Sequence, residues 1–85
     1  MVICRPTPGV DPGEFARHLP QEFAALRSHK AAGVLTDAWS PGVPGAVLMI
    51  EVADRESAAA FAAALPLSVG GLVAAEIIEL HPVQL

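Results

Sequence analysis

Val34-Leu35-Thr36-Asp37-Ala38-Trp39-Ser40, then Pro41-Gly42-Val43-Pro44-Gly45, then Ala46-Val47-Leu48-Met49-Ile50-Glu51-Val52 is the stretch that decides the fold. The first segment is partly alternating and reads as a strand. The middle one holds two prolines and two glycines and can only be a loop. The third is almost continuously apolar, as a strand buried on both faces is. Helical patterns lie on either side. Upstream, Asp11 is an N-cap with Pro12 at the first helical position and Glu14 three residues after the cap. Phe15, Leu19, Phe23 and Leu26 follow at helical spacing, and Gly33 closes the segment. Pro20 lies inside this helix and predicts a kink or a restart. Downstream, Asp54 caps a second helix with Ala58, Phe61, Ala62 and Leu65 on its core stripe, and Pro66 is expected to stop it. Met1 to Arg5 is the first strand. Leu72 to Leu80 is the last, entered through Gly70-Gly71 and left at Pro82.

The resulting order, β-α-β-β-α-β, predicts an α+β fold of the ferredoxin-like type. It places a four-stranded antiparallel sheet under two helices on one face, in a single domain spanning residues 1–85. The composition bears on the other face. Hydrophobic residues make up 53% of the chain and charged ones 16%, with a mean hydropathy of +0.50. An 85-residue chain buries only about 60–65% of its unfolded surface on folding, so a lone copy is marginal. The surplus apolar surface predicts sheet-to-sheet packing in a homodimer or higher homo-oligomer. Disorder is excluded by the shortage of charge. A membrane span is not expected, because Phe61 to Ile78 is broken by Pro66, Gly70, Gly71 and Glu76. Nucleic acid is not an expected partner either, with five Lys and Arg against nine Asp and Glu and no basic cluster. Cys4 is the single cysteine, which excludes an internal disulfide and a cysteine-based zinc site. No basic and apolar leader opens the sequence, so the expectation is a cytoplasmic protein.

Leu65-Pro66-Leu67, followed after a glycine-containing stretch by Glu76-Ile77-Ile78-Glu79-Leu80-His81-Pro82, resembles the end of the muconolactone isomerase family. Gly33 leading into the second strand and Trp39 near its end carry the same likeness, which covers nearly the whole chain. The resemblance implies a dimeric α/β barrel with a ligand site near the helix–sheet cleft or the subunit boundary. It also implies a cofactor-free enzyme that shifts a double bond in a small unsaturated ring or lactone.

The candidate chemistry is sparse. On an uninterrupted first helix, His18, Glu22 and His29 fall within about 40° of one another, roughly 75° from the centre of the apolar stripe. Ala25 and Ala32 share their side and leave space there. An acid and a base lining a cleft would be arranged this way. An allylic proton shift needs one group that takes a proton from carbon and returns it nearby, and a carboxylate against an apolar wall has its pKa raised towards neutrality. Glu22 is therefore the candidate base, and it sits where the resemblance places an acidic residue. His18 or His29 would position it or act as acid. The alternative is a boundary glutamate paired with His18 or Arg27 in solvent. Trp39 is the candidate wall for a planar ligand, with core or interface as its plainer role. Arg5 is the candidate for fixing a ligand carboxylate. No metal is expected, since histidines eleven apart on a helix are about 16 Å apart along its axis. No organic cofactor is expected either. The competing functions are a non-catalytic dimer that binds an apolar small molecule or assists assembly, and a cofactor-free oxygenase.

Overall fold

The computed structural model describes every residue from Met1 to Leu85. Seven elements follow in order: β1 (Val2–Pro6), α1 (Pro12–Ala31), β2 (Leu35–Trp39), β3 (Ala46–Ile50), α2 (Arg55–Ala64), α3 (Pro66–Val69) and β4 (Val73–Ile77). The strands form one antiparallel sheet in the order β2-β3-β1-β4. This is the ferredoxin-like arrangement that the strand and helix pattern predicts. No helix is long and apolar enough to cross a membrane.

Local chemistry sets the element ends. The Asp11 side chain accepts from the Glu14 amide at 2.9 Å, and the Asp54 side chain accepts from the Ser57 amide at 2.7 Å. Each caps a helix whose first N–H groups have no partner within the helix. At the other end of α1, Gly33 takes φ 79°. Its amide donates to Lys30 O and the Val34 amide to His29 O, so a left-handed residue closes the last turn and turns the chain into β2.

Two details depart from the sequence pattern. Pro20 neither ends nor restarts α1, which spans Pro12–Ala31 as one helix. Pro20 and Ala16 both lie on the exposed side, so the carbonyl that loses its partner can be solvated. Pro66 does end α2, but as the first residue of a further turn of helix, α3, where its missing N–H costs nothing.

Register divides the sheet into two faces. Val2 pairs with Leu48 and Ile77, and Cys4 with Ala46 and Ala75. These residues face the helices, where Val2, Leu48 and Leu65 have no exposed surface. Leu35, Phe61, Ala62, Leu67, Leu72 and Val73 complete this core. Ile3, Val47 and Met49 alternate with them on the opposite face, which no element covers. That face is not uniformly apolar, for Arg5 and Glu76 form an exposed ion pair on it at 2.9 Å. Glu76 is exposed because it lies on this uncovered face opposite Ile3, and Glu79 is exposed because it follows the end of β4.

Candidate functional site: an apolar cleft with one buried carboxylate

The inner face of α1 carries Phe15, Leu19, Glu22, Phe23 and Leu26, spaced by three or four residues except for the adjacent pair Glu22 and Phe23. Glu22 thus occupies a place in the helix–sheet seam that an aliphatic residue would ordinarily fill. It is 5% exposed and is the single buried charged residue in the chain.

The neighbouring turn explains how a carboxylate is tolerated there. Pro66 starts α3, so the Leu67 amide has no helical acceptor four residues back. It donates to Glu22 Oε1 at 3.1 Å, across 45 residues of sequence. The Leu-Pro-Leu segment and the acid on α1 therefore form one unit. No protein donor bonds the second carboxylate oxygen. Burial pushes the Glu22 pKa above its ordinary value, and the Leu67 hydrogen bond pulls partly against this.

Glu22 opens onto a cavity of about 760 Å³ between α1, β2, β3 and the loop after β2. Its walls are chiefly apolar. Leu19 and Leu26 come from α1, Leu48 from β3 and Leu67 from α3. Gly45 stands beside the Cys4 carbonyl at a point where a Cβ would come within 2.6 Å of the oxygen. A glycine is needed for the loop to pass so close to β1. The Cys4 thiol also lines the cavity. Burial, and secondarily the charge of Glu22, push its pKa up to about 11, so it remains a neutral thiol near pH 7 and not a nucleophile.

The candidate residues separate into two groups. Glu22 lines the cavity, and Trp39 borders it at the end of β2, but Trp39 pairs with Val47 and so places its 54%-exposed side chain on the uncovered face of the sheet. The other three lie elsewhere. His18 Nδ1 donates to the Glu14 carbonyl at 2.8 Å. The His29 ring packs on Phe61 with centroids 4.6 Å apart, on the side of α1 that faces α2. Arg5 is paired with Glu76 on the uncovered face of the sheet. The partner of Glu22 is a backbone amide of α3 and not His18 or Arg27. Arg27, Lys30 and Cys4 line the cavity without having been singled out as its chemistry. For the two cations the available signal was their spacing of four and seven residues from Phe23 on the same helix face. No group of three or more His, Cys, Asp or Glu side chains is placed to hold a metal ion.

Fold and site together define a small α+β domain with a single acid set into an apolar cleft. No protein-family model matches the chain, and a search of curated proteins finds no match.

Burial of Glu22 has a consequence for stability. A carboxyl whose pKa is raised on folding is protonated more readily in the native state than in the unfolded one. Its contribution is therefore most favourable below the ordinary value of 4.5 and is lost as pH rises through the raised native value. Glu22→Gln keeps an acceptor for Leu67 and removes the titration. Its melting temperature relative to the wild type should increase across that window and then level off. A constant difference between pH 4 and pH 8 would show that the carboxyl is not shifted.

Proposed function

We propose that the protein is a cofactor-free enzyme that moves a proton on a small unsaturated ring compound, an isomerase of the muconolactone isomerase type, with Glu22 as the proton carrier. One observation carries this reading: a lone carboxylate, fixed through one oxygen by Leu67, beside an apolar cavity large enough for a ligand. A carboxylate held in such surroundings is a stronger base than one in water, and its position is set before the substrate arrives. In an unsaturated lactone, the free oxygen of Glu22 would take the allylic proton. The electron pair of the C–H bond becomes a new π bond, and charge moves onto the lactone carbonyl oxygen as a dienolate. Delivery of a proton from the Glu22 carboxyl, where it exchanges with solvent, to the far carbon of the dienolate restores the carbonyl and leaves the double bond shifted. Neither histidine lines the cavity, so the step is assigned to Glu22 alone. The test is catalysed exchange of the allylic proton in D₂O, by wild type and by Glu22→Gln.

The proposed assembly is a homodimer through the uncovered sheet face. The chain exposes 5582 Å², against roughly 4,800 Å² for a folded monomer of its mass. The surplus is comparable with the approximately 800 Å² that each partner buries in an interface of standard size. Part of it lies on the segment after β4, where Leu80, Val83 and Leu85 are exposed. Ile3, Val47 and Met49 supply the apolar centre of the face, and the Arg5–Glu76 pair supplies a polar margin.

A further inference from the structure

The cavity carries charge that a proton shift does not use. Arg27 and Lys30 line it, five and eight residues beyond Glu22 on α1. At 1.5 Å per residue they stand about 7 and 12 Å along the helix from the acid. Neither is in an ion pair, for the two pairs present are Arg5–Glu76 and His81–Glu79. Lys30 lies in the last turn of α1, where the helix dipole favours a cation. Arg27 lies before that turn and has no such reason to be there. The chain has five Lys and Arg in all and a net charge of −4, yet two of those five cations line this one cavity. The single acid lining it is Glu22. Its volume of about 760 Å³ is also far more than one small ring requires and falls in the range that takes drug-sized ligands.

We propose that the cavity binds an amphipathic organic acid, its apolar body against Leu19, Leu26 and Leu48 and its anionic group held by Arg27 and Lys30. This rests on the proposed function, because it orients the body of that ligand towards Glu22. A charge-assisted contact at one end and a base at the other would set which carbon of the substrate meets the carboxylate.

Two dyes with the same aromatic body supply the test: 1-anilinonaphthalene-8-sulfonate is anionic, and N-phenyl-1-naphthylamine is its neutral counterpart. Each is titrated into wild type, the double variant Arg27→Met/Lys30→Met, and Arg27→Lys. Both positions are exposed, so the fold should be retained, and melting temperatures check this. The double variant should bind the sulfonate at least about tenfold more weakly, with the neutral dye within about twofold of wild type. Arg27→Lys should keep most of the preference. An unchanged sulfonate affinity in the double variant, an equal loss for both dyes, or no binding of either dye would each overturn the proposal. Glu22→Gln should leave the sulfonate preference intact. Loss of the preference with proton exchange retained therefore overturns the anion site alone. Loss of exchange as the sole failure overturns the assignment of Glu22.

Discussion

Glu22→Gln should lower turnover of an unsaturated lactone by about 10²–10⁴ while leaving the fold in place. The amide has the shape of the carboxylate and retains an oxygen for the Leu67 N–H, so the contact between α1 and α3 survives. It cannot accept a proton from carbon. The melting temperature separates the chemical role from a structural one. Near neutral pH the variant should melt at or above the wild type, because it no longer carries an ionisable group in a buried site. Glu22→Ala should behave differently. It leaves the Leu67 amide unpaired next to an enlarged cavity and should cost about 1–3 kcal/mol. A rate loss shared by both variants with stability lost only in the second assigns the carboxylate to catalysis. Equal rates for wild type and Glu22→Gln would remove it from the mechanism.

Met49→Lys should convert the protein to a monomer. Met49 lies on the uncovered sheet face, where a lone chain can still solvate an ammonium but a paired sheet cannot. Burying that charge without a partner costs several kcal/mol. Each 1.4 kcal/mol is about a factor of ten in affinity, so the dissociation constant should rise by more than about 100-fold. Sedimentation at micromolar concentration reads this directly. Leu48→Lys is the control, since Leu48 has no exposed surface and faces the helices. That change should unfold the chain instead. A wild type that sediments as a monomer at every concentration would contradict the dimer.

Most of the fold was legible because its punctuation is chemically strong. Asp11-Pro12 and Asp54 could only begin helices, and the Pro41–Gly45 cluster could only be a loop. Element ends were less legible. Whether Pro20 breaks α1 depends on which way the helix faces, and it faces solvent there, a tertiary fact. The shortness of β4 depends on pairing, since its partner β1 begins at the chain's first residues, and the last bonds between them join Ile78 to Met1. For the site, Glu22 stood out as an acid beside an apolar stripe. Its full burial was not legible, because the Leu67 amide that supports it lies 45 residues away. Helical phase grouped His18 and His29 with Glu22, but phase says nothing about neighbours. α3 meets Glu22 through the Leu67 amide, whereas α2 takes the side of His29 and brings Phe61 against its ring.

Proton exchange detects the central step itself, whether or not net isomerisation follows. An unsaturated lactone with an allylic C–H is incubated with the protein in D₂O, and loss of that proton's NMR signal is followed against buffer alone. Wild type should wash deuterium into the allylic position well above the buffer rate. Glu22→Gln, folded and with its ligand preference retained, should fall to near the buffer rate. Exchange by Glu22→Gln at the wild-type rate would contradict the account.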